Sequence, residues 1–154
     1  MKKIIAAALL LSTIALTGAE DILAKVKWVG AKSVGENAFE VKALPRKQYG
    51  VTVRKFFRFA PGKYLVKGSV NEEVRAVFIA FHGQTKDNKP IKARGAWLEG
   101  KQLVPDAKTK SKSFAAVLTF PKVDQKFSFI NFQTFSHKNV PAVIKTFQVI
   151  PQKD

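Results

Sequence analysis

The chain has no cysteine. Disulfides, thiol nucleophiles and thiolate metal sites are therefore excluded, and packing alone must hold the fold. Histidine is nearly as scarce, with only His82 and His137. Two isolated imidazoles without a thiol do not make a His/Cys metal site. Acids are also few: 11 Asp and Glu stand against 27 Lys and Arg. Glu72 and Glu73 are adjacent, so a strand would point them to opposite sides. A glycosidase needs two carboxylates facing each other across the sugar. Glu40 and Glu99 illustrate a pair from distant positions, but nothing in the sequence brings them together. There is no GxSxG, HExxH or glycine-rich phosphate loop. Ser113 and Ser128 have no recognisable partner base. Catalysis is accordingly not expected, and neither a metal nor another cofactor is implied.

What is present begins with "MKKIIAAALLLSTIALTGAED". Lys2 and Lys3 form a positive start. Ile4 to Leu16 is apolar apart from Ser12 and Thr13. Thr17, Gly18 and Ala19 are small, which suits a signal-peptidase pocket. This pattern is a secretory signal, with cleavage expected after Ala19. The apolar run is shorter than the ~18–20 residues of a membrane span, and no later segment could span. Residues 20–154 are expected to form one domain, exported by a bacterium to the periplasm or beyond.

Charge is the strongest compositional signal. The first 19 residues hold two lysines and no acid, so their removal lowers the formal charge from +16 to +14. A charge of that size attracts polyanions at long range and also keeps a protein soluble. The partners it suggests are an acidic polysaccharide, lipopolysaccharide or anionic headgroups. Nucleic acid is not favoured.

Residues 20–154 show no sustained 3.6-residue period of helical length. They show short runs of strand character instead, separated by turn signals. These runs are Lys25–Gly30, Ala38–Leu44, Val51–Phe59, Tyr64–Val70, Val74–His82, Ile91–Leu98, Ser113–Phe120, Lys126–Phe135 and Val143–Ile150. Pro61-Gly62 is a turn signature, and it predicts a hairpin between Val51–Phe59 and Tyr64–Val70. Glu72-Glu73 is expected to cap a hairpin. Gly83–Pro90 and Glu99–Lys112 are expected to be loops, and Gly95 to mark a bulge. Eight to nine strands and 13 phenylalanines predict an all-β, two-sheet antiparallel β-sandwich.

The order of features resembles the galactose-binding-like and carbohydrate-binding jelly-roll modules. An aromatic strand is followed by the "PGKY" turn into "YLVKGSV". The long strand "RAVFIAFHG" and the polar loop "TKDNKPI" come next. "KSFAAVLTFP", "KFSFINFQ" and "VIKTFQVI" close the chain. The resemblance covers Val51 to Ile150. It implies a jelly-roll sandwich that binds a glycan. Such modules often hold a structural calcium through carboxylates near their first and last strands. Acids are sparse there in this chain, so no calcium site is expected.

The candidate ligand-binding residues are Trp97, Asn131, Gln133, His82 and Arg94. An exposed Trp stacks on a sugar face, whereas a core Trp packs, and the sequence leaves Trp97 open between the two. Trp28 reads as core. Asn131 and Gln133 share one side of a strand with Phe127, Phe129 and Phe135, where amides could read hydroxyls or lie in solvent. His82 stands at a strand end. The candidate polyanion contacts are Lys108, Lys110 and Lys112 in "KTKSK", and Arg54, Lys55 and Arg58 in "RKFFR". "PRKQY" adds Arg46 and Lys47. Lysine dominates, so such contacts should be salt-sensitive. Interleaved base and aromatic also describes a sheet edge guarded by charge.

The expected role is an exported, non-catalytic module for a glycan or anionic envelope polymer. Two alternatives remain: a structural β-sandwich that docks on a protein partner or a second copy, and a small polysaccharide hydrolase or lyase.

Overall fold

The computed structural model describes residues 32–35, 38–41, 49–52, 58–136 and 141–153. The expected strand Lys25–Gly30 and the stretch 53–57 lie outside the described residues. Ten strands are present among the described residues: β1 Lys32–Gly35, β2 Ala38–Val41, β3 Tyr49–Thr52, β4 Gly62–Asn71, β5 Val74–Thr85, β6 Ala96–Glu99, β7 Val104–Asp106, β8 Ser111–Phe120, β9 Gln125–Ser136 and β10 Ala142–Pro151. They form two antiparallel sheets. One has six strands in the order β1-β2-β10-β4-β8-β7, and the other has four in the order β3-β9-β5-β6. From β4 onward the chain changes sheet repeatedly, as a jelly roll does. The fold is a two-sheet antiparallel β-sandwich of jelly-roll type.

Alternation decides which side chains enter the core. On β9, Ser128, Ile130, Phe132 and Thr134 are all fully buried. On β5, Val77, Ile79 and Phe81 lie on the same inner face. The six-stranded sheet supplies Tyr64, Val66 and Val70 from β4, with Phe114, Leu118 and Phe120 from β8. Two aromatic clusters result. Phe59, Tyr64, Phe81 and Phe120 meet at one end, with Phe59 and Phe81 ring centroids 4.6 Å apart. Phe114, Phe132 and Phe147 meet further along, with Phe132–Phe147 at 5.0 Å.

The hairpin expected across Pro61-Gly62 does not form. β3 pairs with β9, whereas β4 pairs with β8 and β10. The turn instead carries the chain from one sheet to the other. Gly62 makes the change at φ 147°, a conformation that other residues rarely adopt. Just before the crossing, Phe59 is strapped to the start of β9. Its N–H donates to Ser128 Oγ at 3.3 Å, and Gln125 Nε2 donates to its carbonyl at 2.7 Å. Ser128 Oγ in turn donates to Gln125 Oε1 at 2.7 Å. The Glu72-Glu73 turn is likewise not a hairpin cap, because β4 and β5 lie in different sheets.

Three further corrections concern extents. Strand Ile91–Leu98 shortens to β6, because Ile91 and Ala93 face the core but so do Ala96 and Leu98. That one-residue change of phase falls at Arg94-Gly95. The expected loop Glu99–Lys112 contains a 3-10 turn, Gly100–Gln102, and the short strand β7. The loop expected from Gly83 begins later, because β5 runs on to Thr85.

Phe132→Ala is expected to cost about 3–5 kcal/mol of stability, since a ring packed in both sheets leaves a cavity. Ser128→Ala is expected to cost about 1–3 kcal/mol by stranding the buried Phe59 N–H. Chemical denaturation checks both values.

Candidate functional site

The outer face of the four-stranded sheet brings together most of the expected ligand residues. Side chains not used by the core on β5, β6 and β9 point there in register. Ala76 stands between Glu99 and Phe135. The next row outward is Trp97, Phe78 and Gln133, continued by the backbone of Gly50 on β3. Then come Ala80 and Asn131, then His82 and Phe129, then Gln84 and Phe127. The steps from Ala76 to Gln84 along β5 make this face about 27 Å long.

Its ends are aromatic and its middle is amide. At one end Trp97 is 46% exposed, so it is not a core residue. Its ring lies 4.6 Å from that of Phe135 and 6.2 Å from that of Phe78. Gly95 makes room for this arrangement, since a Cβ there would come within 2.6 Å of the Phe78 ring. Trp97 and Phe135, with Arg75, Ala76, Glu99 and Gly100, line a groove of about 610 Å³. At the other end His82 stacks on Phe129 at 5.7 Å and 16°, and Phe129 lies 6.3 Å from Phe127. These rings line a second groove of about 300 Å³ with Gly83, Gln84, Asn88 and Pro90. Between the grooves, Gln133 is half-buried and Asn131 is 8% exposed. Among the described residues no buried polar side-chain atom lacks a partner.

Arg94 is exposed in the segment leading into β6. Glu40 and Glu99 lie on strands of different sheets, β2 and β6. Among the described residues no three His, Asp or Glu side chains group to hold a metal ion. Among the described residues no helix is long and apolar enough to cross a membrane.

The described basic residues are dispersed. Arg54 and Lys55 lie outside the described residues, as do Arg46, Lys47, Trp28 and His137. Arg58 is exposed beside Phe59. Lys108 and Lys110 are exposed on the turn between β7 and β8. That turn is pinned: Asp106 Oδ1 accepts the Lys108 N–H, and Asp106 Oδ2 accepts the Thr109 hydroxyl, each at 2.9 Å. The Thr109 hydroxyl, then the Lys108 N–H, hold the Asp106 carboxyl below the usual carboxylate range. Lys112 is on β8 itself, and its ammonium donates to the Val74 carbonyl at 2.8 Å.

Sequence reasoning missed Phe78 and Arg75 as site residues. Phe78 sits in an unbroken apolar run that hides its outward direction.

The opposite face, on the six-stranded sheet, has a different chemistry. A groove of about 690 Å³ there is lined by Lys67, Ser69, Ser113, Thr146 and Gln148, among others. Ser69 and Thr146 hydroxyls bond each other at 2.9 Å. Val117 and Val104 are exposed on this sheet.

Partial burial pushes the His82 imidazole below its ordinary value. The unfolded chain therefore takes up that proton first as pH falls, and acid weakens the fold below about pH 6.5. NMR titration is expected to place the His82 midpoint below that of a free histidine side chain. Phe129→Ala, which uncovers the ring, is expected to move it back up.

No family model matches the chain. No curated protein matches it. Solved structures do. One is the enzymatically active domain of tailspike protein 4 of bacteriophage CBA120, with a TM-score of 0.50 and 10% identity. That match covers 82% of this chain and 18% of the tailspike chain, so this chain spans less than a fifth of it. A second is a family 16 carbohydrate-binding module, with a TM-score of 0.45 and 14% identity over 81% of this chain and 84% of that one. A third was solved with β-1,4-galactotriose bound, with a TM-score of 0.42 and 15% identity over 82% of each chain. The likeness to the tailspike domain is one of fold alone, and the other two are too distant to bear on function.

Proposed function

We propose that the protein is an exported, non-catalytic module that binds a glycan across the outer face of the four-stranded sheet. The observation that carries this reading is the exposed Trp97, held beside Phe135 in a groove at the end of an outward row of rings and amides. A large apolar ring that packing could have hidden stands instead in solvent. Sugars offer a matching surface, with C–H groups for a ring face and hydroxyls for amides. Trp97 and Phe135 are assigned one stacking platform, and Phe129 and Phe127 the other. Gln133 is assigned to hydroxyl recognition between them, with Asn131 behind it. Partial desolvation favours the neutral form of His82, which can both donate to and accept from a hydroxyl. The rigid sheet backbone supports every one of these positions, so the site is organised before ligand arrives.

Export follows from the leader ahead of Glu20, with the periplasm or the exterior as destination. There the polymers on offer are glycans of the envelope or surroundings.

The alternative of a protein-docking sandwich rests on Val104 and Val117, exposed on the six-stranded sheet. Those side chains are aliphatic; the groove there mixes Val104, Leu98 and Ala115 with Lys67, hydroxyls and two amides, and the one ring among its described lining residues, Phe114, is buried.

The test is binding of the purified protein to a panel of neutral and acidic polysaccharides at about 0.15 M salt, where the Debye length is about 8 Å. Trp97→Ala is expected to weaken binding about five- to 150-fold, since one stacked ring contributes on the order of 1–3 kcal/mol. Binding that Trp97→Ala leaves unchanged, or that disappears as salt is raised to this level, would count against the site.

A further inference from the structure

We propose that Arg75 is the specificity residue of this face, and that the glycan it selects carries an anionic substituent such as a carboxylate. The inference rests on the reading of the sheet face as a glycan site and names the class of glycan.

Alternation breaks at the start of β5. Along β5, Val77, Ile79 and Phe81 face the core. Unbroken alternation would send Arg75 to the same side and bury a guanidinium among phenylalanines. It does not. Val74 pairs with Ser136 and Ala76 pairs with Phe135, so two steps on β5 oppose one step on β9. Arg75 is the extra residue of a β-bulge. Val74 takes the core position and is fully buried, while Arg75 is exposed. Together with Ala76 it lines the groove that Trp97 and Phe135 build. The bulge thus takes a cation that would have been buried and places it beside the stacking platform.

The guanidinium is also uncommitted. Among the described residues the Arg75 side chain has no hydrogen bond, ion pair or ring contact. By contrast Lys112, close by, spends its ammonium on the Val74 carbonyl. A planar guanidinium matches a carboxylate with two parallel hydrogen bonds. A sugar stacked on Trp97 would bring a ring substituent to the groove wall. Glu99, directly across Ala76 on β6, is the one acid among the described residues that line the groove. Its carboxylate opposes an anionic ligand, so it serves as an internal control.

The experiment compares polygalacturonate with its methyl-esterified form, which keeps the backbone and loses the charge. Binding is measured at about 0.15 M salt to screen diffuse attraction. The unsubstituted protein is expected to prefer the acidic form. Arg75→Ala is expected to weaken acidic binding about ten- to a hundredfold, the range of a charge-assisted hydrogen bond, and to leave the esterified form unchanged. Arg75→Lys is expected to restore part of the preference. Glu99→Gln is expected to strengthen acidic binding. A double variant, Lys108→Gln with Lys110→Gln, removes more charge away from the groove and is expected to change little. An equal loss in that double variant and in Arg75→Ala would overturn the proposal, by reducing the preference to net charge. Loss with Trp97→Ala but none with Arg75→Ala would overturn it and leave the glycan reading standing. Binding insensitive to both, or absent for both probes, would overturn the two together.

Discussion

Everything in this molecule hangs on phenylalanine packed between two sheets. With no disulfide to constrain the chain, the apolar contact across the sandwich must offset the entropy of ordering it. The two ring clusters do this from both sheets at once. Phe59 matters twice. Its ring joins Tyr64, Phe81 and Phe120, and its backbone is tied to Gln125 and Ser128. The chain leaves the four-stranded sheet from that tie, so the crossing at Gly62 starts from a fixed point.

The candidate site is a by-product of the same packing. A strand that gives every second side chain to the core must give the others to the outside. On β9 the inner set is Ser128, Ile130, Phe132 and Thr134, and the outer set is Phe127, Phe129, Asn131, Gln133 and Phe135. Rings on both sides of one strand are unusual for a sheet that only has to stay soluble. The inner rings hold the sheet flat against its partner, which in turn fixes the spacing of the outer ones. A ligand that lay on this face would need little further ordering on binding.

This division was legible in "KFSFINFQTF", because strict alternation sorts its residues without knowledge of any neighbour. So was the sandwich itself, from the turn signals and the absence of helical period. Other features were not legible, for physical reasons. Pro61-Gly62 announces a reversal of the chain but carries no information about which sheet the next strand joins. Trp97 was ambiguous because its face depends on the change of phase at Arg94-Gly95. Arg75 could not be read at all. A bulge exists only relative to the partner strand, and nothing in "VRAVF" shows that Ser136 and Phe135 will oppose residues 74 and 76. The basic run "KTKSK" misled in the opposite direction. It reads as one loop, yet Lys112 belongs to a strand and is tethered, while Asp106 pins the turn that carries Lys108 and Lys110.

The central claim is that ligand lies on the outer face of the four-stranded sheet. Chemical-shift mapping tests it most directly, by following the purified protein as it is titrated with oligogalacturonate and with a neutral cello-oligosaccharide. The account predicts that the largest shifts fall on the Trp97 indole N–H, the Gln133 side-chain amide and the Phe135 and His82 rings, in one continuous band. Shifts confined to Val104, Val117 and Ser113 on the other sheet, or to the Lys108–Lys110 turn, would contradict it.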